Sequence, residues 1–176
     1  MTRHITHWIG GKPWTGTSAR VGDVFDPATG SVTGTVDLAD AALVDEAVRA
    51  AAEAFESWGT SSLARRTGVL FAFRELLAAH VTELATLVSA EHGKMLADAE
   101  GEVRRGLEIV ELACAIGQLM KGERSDEVSS GVDTSSVRQP LGVVAGITPF
   151  NFPAMVPLWM FPLAIACGNA FVLKPS

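Results

Sequence analysis

The middle of the chain carries apolar residues every three or four positions, which is the spacing of an amphipathic α-helix. The first such stretch contains Val44, Val48, Ala51, Phe55 and Trp58, which recur at spacings of four and three. Three more stretches follow with the same period. We therefore predict four helices, at about 41–58, 62–79, 83–92 and 98–119.

Residues at the ends of these stretches support the helical prediction. Asp40 is a favourable N-cap for the first helix and Gly59 ends it, while Ser61 or Ser62 caps the second, which ends near His80. In the second helix the apolar stripe runs through Leu63, Leu70, Phe73 and Leu77, and the charged residues Arg65, Arg66, Arg74 and Glu75 are expected to lie outside it. Gly93 supplies a left-handed residue after the third helix.

The regions on either side of the helices have a different pattern. Residues 5–35 contain short strand-like pieces separated by Gly and Pro, which predicts hairpins and turns. Residues 122–136 are polar and rich in turn-forming residues, so we expect an exposed loop there, followed by an edge strand at 137–139.

The last part of the chain is almost entirely apolar. We predict buried strands at 142–147 and 170–174 and a helix at 154–167 between them. Strand, crossover helix and strand form a βαβ unit of a parallel sheet. The predicted fold class is therefore α/β: hairpins and helices at 1–121, an exposed connection at 122–140, and the first βαβ unit of a Rossmann-like sheet at 141–176.

Composition excludes several kinds of function. The net charge is −6 and the pI is about 5.2, which argues against general binding to nucleic acid or to anionic membranes. Four prolines interrupt the apolar region after residue 148, so we do not expect a membrane span, and no secretory signal is evident at the first residues. Two distant cysteines, Cys114 and Cys167, are typical of reduced core residues in a cytoplasmic protein. We expect no metal site, since His4 and His7 lack further ligands.

The few polar residues of the apolar region are the candidate site. No charged side chain occurs between Arg138 and Lys174. Asn151 follows one predicted strand and Lys174 ends the next, so both lie where open α/β sheets bind ligands. The amide of Asn151 has the chemistry to stabilise a developing oxyanion; alternatively it only hydrogen-bonds the turn. Lys174 either binds a ligand hydroxyl or is a solvated strand end.

Several segments together resemble the aldehyde dehydrogenase superfamily. The matching segments are WIGGKPW, DPATG, DEAVRAAAEAFESW, EHGK, GVVAGITPFNFP and PLWMFPLAIACGNAFVLKPS. The resemblance implies that Asn151 contributes to the oxyanion hole. It also implies NAD as the cofactor, with Thr148 and Phe150 lining the nicotinamide and Lys174 binding the adenosine ribose.

The sequence of the segment PFNFPAMVPLWMFP is most similar to that of the CoA-acylating branch of the superfamily, the methylmalonate-semialdehyde dehydrogenases. That resemblance implies oxidation of malonate or methylmalonate semialdehyde to acetyl-CoA or propionyl-CoA through a cysteine thioester, with coenzyme A as co-substrate. It assigns the substrate carboxylate to Arg105, because a guanidinium holds a carboxylate with two hydrogen bonds. Alternatively, Arg104 and Arg105 pair with glutamates at 100–102 on the same helix.

The resemblance also implies that the nucleophilic cysteine lies outside these residues, since neither Cys114 nor Cys167 has a matching context. We expect the chain to be inactive alone and the complete enzyme to be a homo-oligomer, a dimer or a tetramer. Two alternatives stay open at this point. One is a non-acylating aldehyde dehydrogenase, and the other is a non-catalytic protein on the same scaffold.

Overall fold

The computed structural model describes residues 3–176. Its N-terminal part is a three-stranded sheet in the order β1-β5-β4, with a parallel β1–β5 pair and an antiparallel β4–β5 pair, and a small β2–β3 hairpin. Gly10 and Gly11 form the hairpin turn with φ of 60° and 77°, values that residues with a side chain rarely adopt. The elements in chain order are β1 (Arg3–Ile5), β2 (Trp8–Ile9), β3 (Lys12–Pro13), β4 (Arg20–Phe25), β5 (Val32–Leu38), α1 (Ala41–Trp58), α2 (Leu63–Ala79), α3 (Val81–His92), α4 (Leu96–Cys114), α5 (Ile116–Leu119), β6 (Arg124–Ser129), β7 (Val132–Ser135), β8 (Val143–Ile147), α6 (Met155–Ala166) and β9 (Ala170–Lys174).

The predicted helices are present, and their caps are those that the sequence indicates. Asp40 accepts a hydrogen bond from the Leu43 amide at 2.9 Å, and Ser62 accepts one from the Arg65 amide at 3.2 Å. Gly93 has a φ of 81° after α3. The fourth predicted helix is divided, because α4 ends at Cys114 and the short α5 begins at Ile116.

Three predictions about the connecting regions and the helix surfaces are wrong. Residues 124–135 form an exposed antiparallel hairpin, β6–β7, where a loop was expected. Residues 137–139, expected to be an edge strand, have no regular structure. Arg66 is 7% exposed although its charge placed it on the outside of α2. Its guanidinium lies so close to Gly168 that a Cβ there would meet Nη1 at 2.1 Å.

The core of the helical part is built around α4, which packs against α2, α3 and α6. Val103 and Val110 of α4 are fully buried in a cluster with Leu77, Val81 and Leu158. A second cluster contains Leu70, Ala113, Cys114, Ile116 and Ala166. These clusters place α6 directly against the helical part of the chain.

The predicted βαβ unit is present at the end of the chain. β8 and β9 are parallel neighbours, with Val143 opposite Ala170 and Ile147 opposite Lys174, and α6 is the crossover between them. The strands are less buried than predicted. Ile147 is 77% exposed and Leu173 is 37% exposed, because among residues 3–176 these two strands pair only with each other.

Candidate active site

The carboxyl ends of β8 and β9 lie side by side. Ile147 and Lys174 are register partners, and the amide of Thr148 donates to the carbonyl of Lys174 at 3.2 Å, which extends the pairing by one residue. The side chains after both strands therefore begin at the same edge of the sheet. This edge is where open α/β sheets bind their ligands.

Three residues predicted to contact a cofactor lie at the ends of these two strands. Thr148 is 4% exposed, and within the described part of the chain its Oγ1 atom has no hydrogen-bond partner. Phe150 is 73% exposed, and the Lys174 Nζ atom lies 5.7 Å from the centre of its ring. A cation at this distance from an aromatic face is attracted to it. The edge therefore presents a buried hydroxyl without a partner, an exposed ring and an ammonium group.

Asn151 lies in the turn between β8 and α6, and its side chain is exposed. Its backbone carbonyl accepts a hydrogen bond from the Lys94 Nζ atom at 2.9 Å. The side-chain amide of Asn151 is therefore outside the core. Its backbone is held by Lys94, which lies 57 positions away in sequence.

Sequence reasoning missed two residues that hold this turn, Glu102 and Lys94. The Glu102 side chain is fully buried, and its Oε1 atom accepts hydrogen bonds from the backbone amides of Ala154 at 2.7 Å and Met155 at 3.1 Å. Lys94 forms an ion pair with the other carboxylate oxygen of Glu102. One signal was available: Glu102 interrupts the stripe of small and apolar residues of α4, at three residues after Ala99 and four before Gly106.

Arg105 lies on α4 with an exposed side chain, as does Arg104. Neither arginine forms an ion pair with any of residues 3–176, and Glu102, one of their expected partners, pairs with Lys94. Residues three apart lie on the same helix face, so Arg105 is one turn from Glu102. Arg104, two positions from Glu102, projects from a different side of the helix.

The remaining polar and ionisable residues of this region have structural contacts. Asn169 is 7% exposed, and its Oδ1 accepts from the Leu141 and Gly142 amides at 2.7 Å and 3.1 Å.

Both cysteines are free, and Cys114 is buried. Burial raises the pKa of the Cys114 thiol, which disfavours the nucleophilic thiolate.

Metal-binding clusters and membrane spans are both absent from residues 3–176. These residues contain no group of three or more His, Cys, Asp or Glu side chains arranged to hold a metal ion. None of their helices has the length and apolar character needed to cross a membrane.

The parallel pair with its crossover helix defines an α/β protein of the Rossmann-like class, with polar groups at the strand ends, where such sheets bind ligands. The sequence model of the aldehyde dehydrogenase family matches residues 14–176. The chain therefore belongs to the aldehyde dehydrogenase family, as its motifs predicted.

Proteins that are similar in sequence to this chain are named malonate-semialdehyde dehydrogenases. A malonate-semialdehyde dehydrogenase of Pseudomonas aeruginosa is 51% identical over 172 residues, which are 98% of this chain and 34% of that protein. Malonate-semialdehyde dehydrogenase 2 of Geobacillus thermodenitrificans is 50% identical over 175 residues, 99% of this chain and 36% of that protein.

Solved structures show the same likeness. A protein described as a methylmalonate-semialdehyde dehydrogenase of Sinorhizobium meliloti, crystallised with NAD, has a TM-score of 0.96 and 49% identity. The methylmalonate-semialdehyde dehydrogenase of Oceanimonas doudoroffii has a TM-score of 0.95 and 52% identity. Both comparisons cover all of this chain and 36% of the other. The chain thus spans about a third of the length of the relatives it matches.

Proposed function

We propose that this chain supplies part of the active site of an enzyme that oxidises malonate or methylmalonate semialdehyde with NAD and coenzyme A. The products are acetyl-CoA or propionyl-CoA together with NADH and carbon dioxide: the aldehyde carbon forms a thioester on a cysteine outside these residues, the substrate carboxylate is lost as carbon dioxide, and the acyl group passes to coenzyme A. The observation that carries the proposal is that Phe150 and Lys174 lie together, next to the backbone of Thr148, at the strand ends that lead into the Asn151 turn. The names of relatives at about 50% identity support the choice of substrate.

Asn151 is the proposed catalytic residue. Its exposed amide follows the carboxyl end of β8 and is free to donate to an oxygen that becomes negative when the aldehyde carbon is attacked. A preorganised donor of this kind contributes about 3 kcal/mol to transition-state stabilisation, because it needs no reorganisation during the reaction.

The residues at the strand ends fit a nicotinamide dinucleotide. The Thr148 hydroxyl is buried without a partner in the described chain and is available for a hydrogen bond, the Phe150 ring offers a flat apolar surface, and the Lys174 ammonium can donate to a ribose hydroxyl. When bound, NAD supplies the hydride acceptor. The contribution of these three residues is to bind and orient it.

Arg105 is the proposed ligand of the substrate carboxylate. Its guanidinium is exposed and forms no ion pair with any described residue, so it is available to a carboxylate. It lies one helical turn from Glu102, which contacts the start of α6 just after Asn151. This position favours Arg105 over Arg104.

The complete enzyme is proposed to be a cytoplasmic homo-oligomer, a dimer or a tetramer. Members of the family act on aldehydes and are generally oligomeric. Two free cysteines agree with a cytoplasmic protein, since that compartment keeps thiols reduced.

A hybrid enzyme tests the proposal. This chain replaces the matching third of the Pseudomonas aeruginosa relative, and NADH formation is followed with malonate semialdehyde in the presence and absence of coenzyme A. We expect CoA-dependent turnover, and we expect Asn151→Ala to lower kcat by about 100- to 1,000-fold. CoA-independent turnover would favour a non-acylating enzyme, and a folded but inactive hybrid would favour a non-catalytic scaffold.

The carboxylate assignment has its own matched pair of variants. Arg105→Leu should raise KM for malonate semialdehyde about 10- to 100-fold, because hydrogen bonds to charged groups contribute about 1.5–3 kcal/mol, while KM for propanal stays unchanged. Arg104→Leu should leave both values near those of the unsubstituted hybrid. Equal effects of Arg105→Leu on the two aldehydes would remove the assignment.

A further inference from the structure

We infer that Glu102 and Lys94 are positioning residues that hold Asn151 in the geometry its oxyanion contact requires. This inference rests on the proposed function of Asn151 and adds two residues to it. The structure shows the backbone of Asn151 and the start of α6 bound to the same buried ion pair.

Glu102 binds the end of the turn that leads into α6. Its Oε1 atom accepts from the amides of Ala154 and Met155, which are among the first amides of α6 and have no acceptor within that helix. Ala154, at the N-cap position, has no side chain that can cap the helix. A carboxylate from α4 therefore replaces a local cap and fixes the start of α6, three residues after Asn151.

Lys94 binds the same turn at Asn151 itself. Its Nζ atom donates to the Asn151 carbonyl at 2.9 Å and pairs with the second oxygen of Glu102. It also lies 4.4 Å from the centre of the Phe152 ring. One ammonium thus contacts the backbone of Asn151 and the side chain of the next residue.

Stability alone is a weak explanation for this pair. The Glu102 side chain is fully buried and that of Lys94 is 13% exposed, and burying two charges has a desolvation cost that often cancels their attraction. Within residues 3–176, the hydrogen bonds and the cation–π contact that these two side chains make outside the pair all go to the segment from Asn151 to Met155. The arrangement is therefore suited to fixing a backbone position. Precise placement has value here, because a displacement of about 1 Å can lower a rate about 100-fold.

The test uses the hybrid enzyme with Lys94→Met, Lys94→Arg and Glu102→Gln. We expect Lys94→Met and Glu102→Gln to lower kcat about 10- to 100-fold with little change in KM, and we expect Lys94→Arg to recover part of the loss. The matched controls are Lys121→Met and Glu108→Gln, which change exposed residues and should retain the kcat of the unsubstituted hybrid.

A double-variant comparison distinguishes positioning from general support of the fold. If Lys94 acts through the amide of Asn151, Lys94→Met should lower kcat by less than about threefold further in an Asn151→Ala background, because coupled residues are not additive. A full, multiplied loss in that background would overturn the inference. If Asn151→Ala alone leaves kcat unchanged, the proposed function of Asn151 fails first, which is a different result.

A second measurement does not depend on catalysis. In the 176-residue chain, hydrogen exchange at the Ala154 and Met155 amides should accelerate in Glu102→Gln, while exchange in α1 stays unchanged. Unchanged protection at both amides would contradict the positioning role of Glu102 even if the hybrid lost activity.

Discussion

Gly106 lies where α4 meets α6, and replacing it with alanine should disturb that contact. A Cβ at this position would lie 2.4 Å from the Leu158 Cδ1 atom and 2.9 Å from its Cβ. The Leu158 Cβ is fixed to the backbone of α6, so a rotation of the side chain cannot remove the second clash. Gly101, on the same helix, has no neighbouring atom within 4 Å of the position that a Cβ would take and serves as the matched control.

The expected magnitude follows from two opposing effects. Alanine is favoured over glycine inside a helix by about 0.5–1 kcal/mol, so Gly101→Ala should raise the free energy of unfolding by that amount. Gly106→Ala gains the same contribution and loses about 1–3 kcal/mol to overpacking. The difference between the two variants is therefore about 1–3 kcal/mol, because the helix preference cancels.

Thermal unfolding followed by circular dichroism measures this difference. For a chain of this length 1 kcal/mol shifts Tm by about 2–4 °C, so Gly106→Ala should unfold about 2–12 °C below Gly101→Ala. Equal melting temperatures would refute the reasoning. They would mean that α4 and α6 can move apart without loss of stability, so that the contact between Gly106 and Leu158 does not determine the position of α6.

Three further predictions concern single residues. Asp40→Ala should lower the free energy of unfolding by about 1 kcal/mol in urea denaturation, because the Leu43 amide loses its acceptor; an unchanged midpoint would contradict the cap. Asn169→Ala should cost about 1–3 kcal/mol in the same assay, because the buried Gly142 amide is left unpaired. Cys114 should react with iodoacetamide at about pH 8 far more slowly in the folded chain than in denaturant, because burial raises its pKa and lowers the thiolate fraction; equal rates would disprove this.

The parts of the fold that the sequence predicts are those determined by nearby residues. The periodic helices, the caps at Asp40 and Ser62 and the left-handed Gly93 all depend on interactions within a few positions along the chain. The βαβ unit was predicted for a similar reason. Two apolar strands with a helix between them are commonly parallel neighbours joined by a right-handed crossover.

The features that were missed are residues whose environment is set by distant segments, and a hairpin that lacks a strand pattern. Arg66 is polar and therefore expected outside, yet it is buried in a place that Gly168 leaves open. Glu102 is buried because its partners lie at Lys94 and at the start of α6, 52 and 53 positions away for the two amides. The β6–β7 hairpin is exposed on both faces and has no alternation of apolar and polar residues by which a strand is recognised.

The same reasoning explains why the candidate site depends on the helical part of the chain. Pro149 and Pro153 flank Asn151 and have no backbone N–H, so this turn is poor in donors of its own. Within residues 3–176, the backbone hydrogen bonds outside regular elements include none made by residues 149–151. The Asn151 carbonyl binds Lys94 instead. A turn with so few local bonds takes its position from side chains that reach it from elsewhere, and here these come from Lys94, at the α3–α4 connection, and from Glu102 on α4. Substitution of Glu102 on α4 should therefore alter the geometry at the end of β8 although this residue lies outside the sheet.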